Sequence, residues 1–181
     1  ILAPTRELAI QIASVVRPLA NRRSLNVALV YGGHSMLSEK KLLYSGAQIV
    51  IGTPGRMLDH IRKGNLAPNN LKMLVIDEAD AMFELGMAED VEKIISATPG
   101  NRQTALFSAT LPNWVAKTVK KHLNNPKTVA VDADMNVSPD IEHVIYEIDP
   151  IDKLKALTTL ISDQSGLTLV FGRTKHGVKK L

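Results

Sequence analysis

Short runs of Val, Ile and Leu recur along this chain, each followed by a stretch whose apolar residues fall at helical spacing, and that alternation leaves few folds open. Residues 7–20 place Leu8, Ile12, Val15, Val16 and Leu19 at helical intervals. Val27-Ala28-Leu29-Val30-Tyr31 follows as a buried strand that ends at Gly32-Gly33. The same pattern predicts a helix over 38–44, a strand over 48–52, a helix over 55–62 and, after the Pro68-Asn69-Asn70 turn, a strand over 72–76. A helix over 89–97, a strand over 103–107, a helix over 113–123 and a closing strand over 127–131 complete the series. Strands that are apolar on both faces and separated by helices belong to a parallel sheet, because each crossover lays a helix on the sheet. The expected fold class is α/β, a parallel sheet with helices on both faces.

Between residues 132 and 140 the composition shifts to Asp, Asn, Ser and Pro with little apolar content, which marks a linker. Beyond it a strand is expected over 141–148, a helix over 152–161, a strand over 167–171 that buries Phe171, and a helix starting at 175. The organisation expected is one domain over 1–131, a linker over 132–140, and over 141–181 the start of a second domain, too short to be complete.

Composition excludes several classes. The 181 residues contain no cysteine, so disulfide frameworks and thiolate zinc sites are out, and a reduced, cytoplasmic setting is expected. His34, His60, His122, His143 and His176 lack metal-ligand spacing. No apolar run approaches the ~20 residues that cross a bilayer, so no membrane partner is expected. A net charge of +4 and a pI near 9.3 are compatible with a polyanionic partner without requiring one. Aromatic residues make up only 4% of the chain, too few for a base-stacking platform, so any nucleic acid would be held by its backbone.

The strand Leu74-Val75-Ile76 delivers Asp77-Glu78-Ala79-Asp80 to a sheet edge, the Walker B arrangement of nucleotide hydrolases. Oxygen ligands such as Asp77 suit Mg²⁺, and Glu78 could orient or deprotonate water. A strand ending in acids can equally be a solvated turn. Arg6 and Arg56 lie where a strand gives way to a helix, at the crevice where open α/β sheets bind ligands. Each could instead pair locally, Arg6 with Glu7 and Arg56 with Asp59. Gly32-Gly33, Gly52 and Gly55 permit close backbone approach to a ligand or simply tight turns. Ser108 and Thr110 follow the strand that ends at Phe107, and either could cap the turn before Pro112.

Six segments occur in one order: Pro4-Thr5-Arg6-Glu7-Leu8-Ala9, Gly32-Gly33, Thr53-Pro54-Gly55-Arg56, Asp77-Glu78-Ala79-Asp80, Ser108-Ala109-Thr110 and Val170-Phe171-Gly172-Arg173-Thr174-Lys175. In this order the chain resembles the DEAD-box RNA helicases, and the wording of the last segment is similar to bacterial members. Ala81 and Met87 depart conservatively from the usual pattern. The resemblance implies RecA-like domains, ATP with Mg²⁺ held through Asp77, Glu78 as the base, and Ser108 and Thr110 bonded to the carboxylates, notably Asp80. It also implies a sequence-independent RNA backbone track formed by Pro4, Thr5, Arg6, Gly33, Thr53, Gly55, Arg56, Asp59, Arg173, Thr174 and Lys175.

The family's G-x-x-x-x-G-K-[ST] phosphate loop is absent from these residues, as are its later arginine motifs. The chain is therefore expected to be an internal piece of a helicase that unwinds RNA duplexes or remodels RNA–protein complexes. By itself it is expected to hydrolyse little ATP, and to be marginally stable if an interior strand is missing. The alternative is a truncated, non-catalytic RNA-binding module; a DNA-directed or protein-remodelling relative is a third possibility.

Overall fold

Each of the first four apolar runs forms a strand, and each strand is only four residues long. In the computed structural model, which describes residues 1–130, 141–163 and 165–179, these are β1 (Val27–Val30), β2 (Ile49–Gly52), β3 (Met73–Ile76) and β4 (Gln103–Leu106). β1 pairs in parallel with β2 in the register Val27 to Ile49 through Val30 to Gly52. β3 pairs in parallel with β4, from Met73 opposite Gln103 to Ile76 opposite Leu106.

Residues 1–3 join the two pairs. The Leu2 amide donates to the Val75 carbonyl at 2.8 Å and the Ala3 amide to Gly52 at 3.0 Å, while Leu2 accepts from the Asp77 amide at 3.0 Å. The spatial order is thus β1, β2, residues 1–3, β3, β4, with every chain direction parallel. Next to Ile1 and Leu2 an apolar cavity of about 600 Å³ lies between β2 and β3, lined by Ile49, Val50, Met73 and Leu74 among others.

Helices cover both faces. α1 (Arg6–Asn21) presents Ala9 and Ala13 to one face, where they pack with Ala3 and Ile51. On the other face α3 (Pro54–Arg62), α4 (Ala79–Glu84), α5 (Ala88–Ser96) and α6 (Asn113–His122) enclose Leu2, Val30, Leu74 and Ile76 with Met57, Met82, Val91, Ile94 and Val115. Leu2 and Ala3 lie in different clusters because successive strand side chains alternate faces. Each buried aliphatic side chain of this kind contributes about 1.5–3 kcal/mol. α2 (Met36–Tyr44) lies against β1 and has a single fully buried residue, Glu39. Among the described residues no helix is long and apolar enough to cross a membrane.

The described chain divides into two compact units, Ile1–Thr128 and Val129–Leu181. Three expected strands do not form. Residues 127–130, 141–148 and 167–171 have no regular structure, Val131 and the expected linker over 132–140 lie outside the described residues, and Phe171 is 87% exposed rather than core. The physical reason is common to them: an isolated strand leaves its amides and carbonyls unpaired, and these segments find no partner strand among the described residues. The second unit retains α7 (Lys153–Ser162) and α8 (Lys175–Val178), whose hydrogen bonds are local.

Candidate functional site

All strands run the same way, so their carboxyl ends meet at one edge, and the loops leaving that edge carry most of the residues singled out from sequence. β3 leads straight into Asp77, whose amide is tied to Leu2 and whose Oδ1 accepts the Glu78 amide at 3.0 Å. Glu78 adopts a left-handed conformation, φ 48° and ψ 55°, that costs a non-glycine residue about 1–2 kcal/mol. It is held there from both sides, since the Ala79 amide donates to the Phe107 carbonyl at 3.0 Å and starts α4. The Glu78 side chain is exposed, and the Asp77 side chain is half-buried.

Asp80 is engaged by the loop after β4. The Thr110 amide and hydroxyl both donate to Asp80 Oδ2 at 2.8 Å, and the Ala81 amide donates to Oδ1 at 3.1 Å. Ser108 bonds the backbone of Asp80, not its carboxylate: its hydroxyl accepts the Asp80 amide at 3.2 Å and donates to the Thr110 carbonyl at 2.6 Å. Burial pushes the Asp80 carboxyl up, but the Thr110 hydroxyl and the Thr110 and Ala81 amides outweigh it and hold the carboxyl below its ordinary range.

A depressed folded-state pKa contributes stability above the unfolded value of about 3.9 and loses it as pH falls through the lower folded value. Thr110→Val removes one of the donors, so the Asp80 carboxyl should titrate at higher pH. Carboxyl-carbon NMR titration checks this, and an unmoved Asp80 would contradict it.

On the other half of the edge, Pro4 is buried and Thr5 caps α1, accepting the Leu8 amide at 3.2 Å. Arg6 is exposed and pairs with Glu7 at 2.5 Å, which holds the Glu7 carboxyl below its usual range. Gly33, at φ +85°, makes the turn after β1. Thr53 precedes α3, and its hydroxyl makes no capping bond to the helix it starts. Gly55 faces α5, where an added Cβ would lie 3.4 Å from Asp90 Oδ2. Asp59 is half-buried and forms no ion pair among the described residues, so it is not the partner of Arg56.

Arg56 is committed to the loop after β1. Its Nε donates to the Tyr31 carbonyl at 3.2 Å, Nη2 donates to the His34 carbonyl at 2.6 Å, and Glu39 Oε2 lies 3.3 Å from Nε. Arg173, Thr174 and Lys175 belong to the second unit, where the Thr174 hydroxyl accepts the Gly177 amide at 3.0 Å and Lys175 opens α8.

Sequence reasoning missed Glu39 and His60, both fully buried and hydrogen-bonded at 2.9 Å. One signal was available: at helical spacing Glu39 shares a face with Met36 and Leu43, an odd place for a solvated acid.

The edge therefore carries two sets of groups side by side. At β3, Asp77 offers a carboxylate whose Oδ2 has no hydrogen-bond partner among the described residues, with an exposed Glu78 beside it. Hard oxygen donors of this kind fit Mg²⁺, which keeps most of its water ligands. Asp80 is instead engaged by protein donors, two at Oδ2 and one at Oδ1. Across β1, β2 and residues 1–3 lie glycine turns, the Thr53 hydroxyl and Arg6, which suit an extended anion. No cluster of three or more metal-ligating side chains occurs among the described residues.

The family model described as DEAD/DEAH box helicase matches residues 1–118. An ATP-dependent RNA helicase DeaD of Haemophilus influenzae is 37% identical over 179 residues, which are 98% of this chain and 29% of that protein. A DEAD-box ATP-dependent RNA helicase CshA of Geobacillus kaustophilus is 37% identical over 182 residues, covering all of this chain and 39% of its own length. The chain thus spans between about a quarter and two-fifths of the curated relatives it matches. The crystal structure of a DEAD box protein from Methanococcus jannaschii superposes with a TM-score of 0.70 at 37% identity, over 99% of this chain and 48% of that one. With six motifs in order, a parallel α/β sheet presenting them at one edge, and a family model covering most of its length, the chain belongs to the DEAD/DEAH box helicase family.

Proposed function

We propose that the whole protein to which this chain belongs is a cytoplasmic ATP-dependent RNA helicase, in which ATP hydrolysis at the β3 edge is coupled to RNA held along the β1 and β2 edge. The observation that carries the coupling is the Asp80–Thr110 contact, because it ties the loop after β4 to the strand end that bears Asp77 and Glu78. Asp77 would hold Mg²⁺, directly or through water or ATP, and the ion would supply neutralisation of phosphate charge. Glu78 takes the proton of the attacking water, and its left-handed backbone sets the direction in which the side chain leaves the strand end. In the first unit Pro4, Thr5, Arg6, Gly33, Thr53, Gly55, Arg56 and Asp59 line the track for the RNA backbone, and in the second unit Arg173, Thr174 and Lys175 are a separate set of RNA contacts. Sequence-independent binding follows from backbone contacts.

The 181 residues contain no phosphate loop, so the groups that neutralise β and γ phosphates are not among them. The chain alone is expected to show background ATP turnover. In the whole protein, Glu78→Gln should lower RNA-stimulated hydrolysis at least about 100-fold and leave RNA affinity unchanged. Full turnover by that variant would overturn the reading. Undiminished RNA binding by a whole protein that never hydrolyses ATP would favour a non-catalytic binding module.

A further inference from the structure

α2 spends its one fully buried position on a carboxylate, and both Glu39 oxygens are occupied. Oε1 accepts the Tyr31 amide at 3.0 Å and lies 3.5 Å from His34 Nδ1; Oε2 accepts from His60 Nε2 at 2.9 Å and lies 3.3 Å from Arg56 Nε. The Tyr44 hydroxyl donates to Asn65 Oδ1 at 3.4 Å, which leaves Asn65 Nδ2 to donate to His60 Nδ1 at 3.3 Å. His60 Nε2 and Arg56 Nε thus both face Glu39 Oε2, and Glu39 balances the charge of the Arg56 guanidinium.

Two of these partners, Tyr31 and His34, bracket one loop. The Tyr31 amide is held by Glu39 directly, and the Tyr31 and His34 carbonyls are held by Arg56, which Glu39 itself orients. Gly32 and Gly33 lie between those anchor points, are exposed, and have no atoms within 4 Å of where a Cβ would stand. Two glycines in succession are the most mobile backbone a loop can carry.

We propose that Glu39 is a positioning residue for the RNA track: buried and out of reach of the ligand, it holds the 31–34 loop and Arg56 in the arrangement that accepts an RNA backbone. This rests on the RNA track proposed above. The sign of one substitution separates positioning from simple electrostatics. Glu39→Gln keeps the shape and makes the chain one unit more positive than its +4, so charge alone predicts equal or tighter RNA binding. Positioning predicts weaker binding, because an amide cannot accept at both ends and orient the guanidinium as a carboxylate does.

The test measures, for the 181-residue chain and its Glu39→Gln variant, affinity for a short fluorescent oligouridine and amide hydrogen exchange at Tyr31, Gly32 and Gly33. The expected result is affinity weakened about tenfold together with faster exchange confined to that loop. Unchanged or tighter binding overturns the proposal, and so does weakened binding with unaltered loop exchange. If the wild-type chain does not bind oligouridine, the RNA track falls and the RNA part of this proposal with it. Faster loop exchange in the variant would then still establish Glu39 as the loop's clamp, and unaltered exchange would remove that too. Should Glu39→Gln unfold, Arg56→Gln provides the second readout: it cuts the link to the Tyr31 and His34 carbonyls, and an unaltered loop there overturns the proposal.

Discussion

Glu39→Ala should lower the unfolding free energy by about 3–5 kcal/mol, as removal of one member of a buried ionic network does. The side chain has no exposed surface, and its loss leaves the His60 Nε2 proton without an acceptor and the Arg56 guanidinium without its counter-charge. His60 is itself fully buried, so its Nε2 donor stays out of bulk water when the partner is lost. Urea unfolding followed by circular dichroism measures the difference. A loss below about 1 kcal/mol would mean that the pocket relaxes and lets water satisfy both groups. Glu39→Gln should cost less than the alanine substitution, because it preserves volume and at least one acceptor.

Gly52→Ala should cost about 3 kcal/mol or more, for a steric reason. A Cβ at this position would stand 2.0 Å from the Val30 carbonyl oxygen and 2.6 Å from Val30 Cγ2, and the first of these is backbone that cannot rotate away. Nor can Gly52 retreat, since its amide donates to Ile1 at 3.1 Å and its carbonyl accepts from Ala3 at 3.0 Å on the opposite side. The substitution must separate β1 from β2. Gly33→Ala is the control, since it has open space but a positive φ and should cost only about 1–2 kcal/mol. If the two substitutions cost the same, the close approach of β1 to β2 is not what demands glycine at position 52.

How much of this was legible beforehand depends on the range of the forces involved. β1, β2 and β3 were readable because continuous apolar runs bounded by turns leave a buried parallel strand as the economical solution, and β4, Gln103-Thr104-Ala105-Leu106, by its place in the alternation. The strands expected over 141–148 and 167–171 were misplaced by the same rule, since pattern describes a segment's preference and pairing needs a neighbour. Asp77, Glu78, Asp80, Ser108 and Thr110 could be named from order and residue type. Their hydrogen bonds could not: Thr110 reaches the Asp80 carboxylate, whereas Ser108 serves the Asp80 amide. Arg56 was legible as a strand-end cation. Its commitment to two backbone carbonyls was not, because Tyr31 and His34 lie more than twenty residues away along the chain.

By itself the sequence determined the α/β class, the family and the strand ends at which chemistry can occur, since apolar periodicity and motif order are properties of the chain read locally. Only the tertiary structure decided that Glu39 is buried, that His60 is its partner, that Glu78 sits in a left-handed conformation and that residues 1–3 join two halves of one sheet. Each of these depends on which distant segments meet, and burial, pairing and strain exist only once they have met.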